Sequence, residues 1–422
     1  MSDTPWQTDE YFVSPWNYQS EVTSAFSPPK QIAVHDVTLR DGEQQAGVEF
    51  TMDEKIRIAE KLAEAGVQRI EAGLPAVSPS DAEAVRRIAA MGLPARIFAF
   101  SRCMVDDVKR AVDTGVQAVV MEIPSSEHII EKAYKWSYQR AMELTIEATK
   151  YAHQNGLFVS FFPIDSTRAD ITSFLNMIEL IEREGHMDSL ALVDTFGVLS
   201  PPAAAFMARK VRERVNKPLE AHFHMDFSMG VANTVMAVAQ GVETVQVSVT
   251  GIGERAGNTP LEDTVLALKT MFGVESGIDF SKLTSLSHLV TQTAQVAVPS
   301  NRSIVGDRLF HVESGIIATW VKNVGQTNLT EAFPFRPEMV GQSEPQIVMG
   351  KGSGLDSVLV WADKLGLGTP SEEEATAILQ EVKARSLERK GLLTEDDFHA
   401  IATSVLKPTA ASVQRAGSPP SA

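Results

Sequence analysis

Arg40 and Asp41 stand side by side, followed by Gly42, at the end of an apolar run in the stretch HDVTLRDGEQQAG, residues 35 to 47. Far downstream, in HFHMD, His222 and His224 are two positions apart. In an extended strand, side chains two apart share a face, so both imidazoles point the same way. Two imidazoles and a carboxylate suit a divalent ion such as Zn²⁺, Mn²⁺, Co²⁺ or Mg²⁺, and three protein ligands leave coordination positions open for a substrate. Arg40 is charged at any physiological pH and stands where negative charge could develop on a substrate oxygen. Each motif alone is weak, because Asp41-Gly42 also makes a turn and a lone HxH pair is as readily a core or surface feature. Together they indicate an open metal site with an arginine beside it.

Those groups need a scaffold that gathers distant parts of the chain. After Pro28-Pro29, apolar strand-like runs (IAVHDVTL, VQRIEAG, ARIFAFS, AVVMEI, LFVSFFPI, SLALVDT, LEAHFHM and TVQVSVT) alternate with amphipathic stretches. Among the latter, MDEKIRIAEKLAEAG ends in Gly66, and PSDAEAVRRIAAMG has Ser80 as its expected cap and closes at Gly92. Strands alternating with helices pair in parallel and are buried on both faces, and eight such units predict an α/β fold of the (β/α)₈ TIM-barrel type. Active sites of such barrels lie at the C-terminal strand ends, where Arg40, Asp41, Glu71, Arg102, Asp165, Thr195, His222, His224 and the loop GIGERAGN all fall. The rhythm breaks near residue 275. The expected organisation is an aromatic-rich arm over 1–29, a barrel over 30–275, a mostly helical C-terminal subdomain over 276–408 and a disordered tail over 409–422. The Gly-rich MGKGSG in the helical region lacks the spacing of a phosphate loop and reads as a backbone turn.

Composition excludes several classes. A net charge of −16 argues against nucleic-acid and anionic-membrane partners. With 44% hydrophobic and 22% charged residues, the chain has the composition of a globular protein with an ample core. The single cysteine, Cys103, rules out an internal disulfide and a multi-cysteine zinc site, and reads as a packed apolar residue rather than a catalytic thiol. No run reaches the roughly twenty apolar residues of a membrane helix, and the N-terminus lacks the basic start and apolar stretch of a signal peptide. The expected location is the cytoplasm.

DVTLRDGEQQAG, IEAGLPAVSPSD, LVDTFG, HFHMD and GIGERAGNTPLED resemble the metal-dependent barrel lyase and synthase superfamily. That group includes isopropylmalate, homocitrate and citramalate synthases and, more distantly, hydroxymethylglutaryl-CoA lyase. ESGI and IVMGKGSG extend the resemblance through the helical subdomain and favour the synthase branch. The resemblance implies that Asp41, His222 and His224 are metal ligands with Asn258 a fourth, and that the ion is Mg²⁺, Mn²⁺ or Zn²⁺. It implies that Arg40 stabilises an enolate or alkoxide oxygen, that Gln44 and Thr195 hold the 2-keto acid, and that Glu71 and His128 line the pocket. An acyl-CoA, acetyl-CoA foremost, is the implied co-substrate, and a homodimer the implied assembly.

Two departures stand out. The synthases end their fifth strand in a pattern like FSPEDATR, with a catalytic Glu, whereas here the stretch is FFPIDSTR and Ile164 occupies that place. Where they have HESGIH this chain has HVESGII, so Val312 and Ile317 replace two histidines, and Gly352 replaces a third in the glycine turn. An isoleucine cannot move a proton. His311 is the expected substitute, with Asp165 the alternative. Three functions follow: a Claisen-type condensation of an acyl-CoA with a 2-keto acid, the reverse cleavage of a 3-hydroxy acid or its CoA ester, or a non-catalytic subunit that binds metal and keto acid.

Overall fold

The computed structural model describes residues 4–406. The expected tail over 409–422 lies outside the described residues. Eight parallel strands close on themselves in chain order. They are β1 (Ala33–Asp36), β2 (Arg69–Glu71), β3 (Arg96–Arg102), β4 (Ala118–Pro124), β5 (Phe158–Ile164), β6 (Ser189–Asp194), β7 (Leu219–Phe223) and β8 (Thr244–Val247). β1 closes onto β8 with Ala33 opposite Thr244 and Asp36 opposite Val247. Helices flank the strands, giving the (β/α)₈ barrel that the alternation predicts.

Strand parity sorts the side chains. On β4, Val119, Met121 and Ile123 join the core shared with the surrounding helices, while Ala118 and Val120 join Phe98, Phe100, Phe162, Ala191 and Val193 in a separate cluster. The second cluster is the barrel interior, where phenylalanines and alanines together fill a narrow cylinder. Burial on both faces is why these strands read as nearly unbroken apolar runs.

The helix Met52–Glu64 begins with a reciprocal cap between Thr51 and Glu54 and buries Ile58 and Leu62. The helix Pro79–Ala90 corrects one expectation: its cap is Ser78, whose hydroxyl accepts the Asp81 N–H at 3.1 Å, and not Ser80. Pro79 takes the first helical position, where a missing N–H costs nothing, so the cap falls one residue before it.

Part of the aromatic arm docks on the barrel: the Tyr18 hydroxyl donates to the Thr270 carbonyl at 2.6 Å, and Phe26 meets Phe272 with ring centroids 6.3 Å apart. The chain divides into two compact units between Gly306 and Asp307, with residues 9–12 belonging to the second. The helix Leu283–Ala294 therefore lies in the first unit, past the residue 275 at which the sequence rhythm breaks, because Leu283, Leu286 and Val290 belong to the barrel's outer core. In the second unit β9 (His311–Val312) pairs with β10 (Gln346–Ile347). Three helices, Leu355–Lys364, Glu372–Arg389 and Glu395–Val405, bury Trp361, Ile378, Val382 and Phe398. The glycine-rich turn spends its amides internally: Gly350 N–H donates to Ser353 Oγ at 3.0 Å, Lys351 N–H to Ser386 Oγ at 3.0 Å, and Gly352 N–H to the Glu313 carboxylate at 2.7 Å. It is a backbone turn. No helix among the described residues is long and apolar enough to cross a membrane.

Gly66, at φ +90, ends the first helix so close to the Gly277 carbonyl that a Cβ would collide with it, whereas Gly92, at φ +67, faces open space. Gly66→Ala is expected to cost about 2–3 kcal/mol and Gly92→Ala about 1 kcal/mol in chemical denaturation. Equal costs would show that the Gly277 contact is not a constraint.

Candidate metal centre and its surroundings

β1 delivers Arg40 and Asp41 through a tight turn in which the Arg40 and Gly42 N–H groups both donate to the Val37 carbonyl, at 3.1 and 3.0 Å. β7 delivers His222, and His224 lies one residue beyond its end, held by an antiparallel bridge to Asn258. The strand is thus shorter than HFHM suggests, yet both imidazoles still converge. Asp41, His222 and His224 form the one group among the described residues whose ligating atoms come within 4.8 Å of one another. His222 Nε2 and His224 Nε2 are 3.2 Å apart, and the Asp41 carboxylate lies 3.7 and 4.0 Å from them.

These donors fit a divalent ion. Two nitrogens bound at about 2.0–2.1 Å to a tetrahedral ion stand roughly 3.3 Å apart, close to the separation seen. Charge supports the same conclusion. Burial disfavours the Asp41 anion, but Arg40, both histidines and Asn258 outweigh it and hold this carboxyl well below the usual range. Burial, with His224 and Arg40, pulls His222 down to about 3 despite Asp41, leaving a neutral imidazole with a lone pair. The Gln246 amide donates to Glu220 at 2.7 Å, so its oxygen accepts from His222 Nδ1–H at 3.0 Å and Nε2 is free to ligate.

Asn258 donates its amide to Asp41 at 2.7 Å and to the Ile252 carbonyl at 3.1 Å, while its own carbonyl oxygen is buried without a hydrogen-bond partner. Arg40 is fixed on three sides: Nε donates to Glu71, Nη1 to Asp41 at 2.9 Å and to Gln44 at 3.3 Å, and the guanidinium lies 4.2 Å from the Phe100 ring centre. Its Nη2 is also buried and unpartnered. Among the unsatisfied groups of this network, which also include His224 Nδ1 and Glu71 Oε2, an acceptor beside the candidate ligands and a donor on Arg40 are what a metal and an anionic or carbonyl oxygen would complete.

Thr195 and His128 sit in a neighbouring cluster around Asp165. The Thr195 hydroxyl accepts the Asp165 N–H at 2.8 Å, and His128 Nε2 lies 2.9 Å from the Asp165 carboxylate. Ser126 donates to that carboxylate at 2.6 Å, and Arg168 grips it at 2.6 and 3.1 Å. The structure therefore collects Arg40, Asp41, Gln44, Glu71, His222, His224 and Asn258 in one network, with His128 and Thr195 around Asp165. His311 belongs to the second unit, on β9, where burial and the nearby Arg308 lower its pKa. Cys103 is buried and its thiol is pushed up by that burial, as befits a packing residue.

Sequence reasoning missed the groups beneath the rim. Glu220 accepts from Ser189, from Gln246 and, at 2.8 Å, from Arg69, while His35 lies 3.4 Å from Glu71 and 3.7 Å from Glu220. The available signal was a charge placed inside a strand buried on both faces.

His222→Ala is expected to abolish tight Mn²⁺ or Zn²⁺ binding in calorimetric titration, and Gln246→Leu to weaken it about 10- to 100-fold by releasing the His222 ring. Unchanged affinity in both variants would place the ion elsewhere.

A family model described as HMGL-like matches residues 31–290. Homocitrate synthase AksA of Methanopyrus kandleri is 37% identical over 390 residues, covering 92% of this chain and 96% of its own. The (R)-citramalate synthase CimA of Methanocaldococcus jannaschii is 36% identical over 354 residues, covering 83% and 70%. Among solved structures, hydroxymethylglutaryl-CoA lyase from Pseudomonas aeruginosa superposes with a TM-score of 0.58 at 21% identity, covering 67% of this chain and 98% of that one, a likeness of fold.

Proposed function

The chain belongs to the HMGL-like family, and from that membership and the geometry of the rim we propose that it joins an acyl-CoA, acetyl-CoA foremost, to a 2-keto acid in a metal-dependent Claisen-type condensation. The observation that carries the proposal is the pair of unsatisfied buried groups, Asn258 Oδ1 and Arg40 Nη2, flanking the Asp41–His222–His224 cluster. Asp41, His222, His224 and the Asn258 carbonyl would hold Mg²⁺, Mn²⁺ or Zn²⁺. A bound ion of this kind supplies Lewis-acid polarisation of a ketone.

The chain's own residues divide the remaining work. Glu71 and Phe100 fix the guanidinium of Arg40 so that Nη2 can donate to the oxygen on which negative charge accumulates. Because Thr195 accepts from Asp165, its own hydroxyl proton is left to donate to a substrate carboxylate. Gln44, held by Arg40, and His128, beside Asp165, line the same rim. The synthase names of relatives that match most of the chain favour condensation over the reverse cleavage, which would use the same metal and arginine.

Purified protein with Mn²⁺, acetyl-CoA and a panel of 2-keto acids is expected to release free CoA thiol, and Arg40→Lys to reduce the rate about 10²- to 10³-fold. No thiol with any keto acid, together with cleavage of a 3-hydroxy acid or its CoA ester, would reverse the assignment. Measurable keto-acid binding with no turnover in either direction would make the chain a binding subunit.

A further inference from the structure

Condensation requires a proton to leave the carbon beside the thioester, and the rim carboxyls already described are engaged. Glu71 is the counter-charge of Arg40 through Oε1, while its Oε2 has no hydrogen bond and faces His35 at 3.4 Å; Asp41 sits among the candidate ligands, and Asp165 is gripped by Arg168 and Ser126. Asp194 accepts from Thr167 at 2.8 Å and from the Leu199 N–H at 2.9 Å. At the position on β5 where the synthase resemblance implies an acid, this chain has Ile164.

Glu122 is different. It follows Ala118 and Val120 on the inward-facing row of β4, opposite Arg102 on β3 and Phe162 on β5. It is 8% exposed, and among the described residues it makes no ion pair within 4 Å. Its side chain takes one long hydrogen bond, from the Tyr134 hydroxyl at 3.4 Å. Burial raises its pKa, with a further push from Asp107, even though Arg40, the Tyr134 hydrogen bond and Arg102 pull it down. The buried Cys103 thiol is the other titratable group beside it. Phe162 brings no charge and packs edge-on against His222, with ring centroids 4.8 Å apart. Glu122 thus stands in the same tier of the barrel as the arginine and the ligand histidine, close enough to Arg40 for their charges to interact.

We propose that Glu122 is the proton-transfer group of this site, an assignment that rests on the condensation reading. Its carboxylate takes a proton from the carbon next to the thioester carbonyl, and the C–H electron pair becomes an enolate. That carbon bonds to the ketone carbon of the keto acid, the ketone π pair moves to oxygen, and the proton held by Glu122 passes to that oxygen. One C–H and one C=O π bond are exchanged for one C–C and one O–H bond, and water then cleaves the thioester of this adduct, its hydroxyl going to the acyl carbon and its proton to sulfur, which releases the CoA thiol. A carboxylate with a single long hydrogen bond accepts a proton without dismantling an ion pair, and a raised pKa makes it a stronger base near neutral pH.

With wild-type turnover in hand, Glu122→Gln is expected to lower kcat about 10²- to 10⁴-fold, leaving Mn²⁺ affinity and the KM for keto acid within about two-fold and the thermal midpoint close to wild type. Activity of the wild type should rise with pH through the raised pKa of Glu122. Tyr134→Phe removes a hydrogen bond that favours the carboxylate, so it should move that rise to higher pH without touching the metal. Glu122→Gln keeping at least a third of kcat overturns the proposal. If that variant does not fold, an unmoved pH profile in Tyr134→Phe does the same. Wild-type protein that releases no thiol defeats the condensation reading and takes this assignment with it, whereas full turnover by Glu122→Gln defeats this assignment alone.

Discussion

The site depends on a buried arginine. Arg40 is 6% exposed, and a guanidinium so far from water persists only if carboxylates and hydrogen bonds replace its hydration. Glu71 and Asp41 do so from two sides. Asp41 is at once the counter-charge of Arg40 and a member of the candidate ligand cluster, so the position of the guanidinium and the geometry of that cluster are a single constraint. Removing either partner would leave a buried charge uncompensated, at a cost of about 3–5 kcal/mol.

That constraint continues down the barrel axis. His222 is oriented by Gln246, Gln246 by Glu220, and Glu220 by Ser189 and Arg69, while Glu71 lies beside His35 and His35 beside Glu220. The interior is therefore two materials in series. A layer of Phe98, Phe100, Phe162 and small residues fills the cylinder, and a chain of polar groups threads it and reaches both His222 and Arg40. The hydrogen-bonded part of this thread, Glu220–Gln246–His222, holds the His222 ring, since turning Gln246 would leave Glu220 and His222 without that partner.

Much of this was legible in the sequence. Eight apolar runs at regular spacing specified the barrel, and chemically capable residues at the strand ends specified the rim, because parallel strands and their loops impose that order. Asn258 was reached only through family resemblance, and the unsatisfied carbonyl oxygen gives it a physical reason. Other features were hidden for identifiable causes. The helix cap moved from Ser80 to Ser78 because a proline can open a helix, and the barrel unit extends past residue 275 because the helix Leu283–Ala294 has a buried apolar face that no strand rhythm announces. Glu122, Glu220 and His35 went unnoticed because they sit within strands, where inward parity becomes visible only once the barrel closes. Glu122 is nonetheless the one polar residue of the run AVVMEI, and that anomaly was the available clue, whereas His35 and Glu220 stand among other polar residues.

One divalent ion and one substrate oxygen are expected to complete the rim. Anomalous diffraction from crystals soaked with Mn²⁺ and a 2-keto acid would show both. A single strong peak is expected about 2.0–2.2 Å from His222 Nε2, His224 Nε2 and an Asp41 oxygen, with a keto-acid oxygen on Arg40 Nη2. A metal bound elsewhere, or a keto acid bound without contact to Arg40, would contradict it.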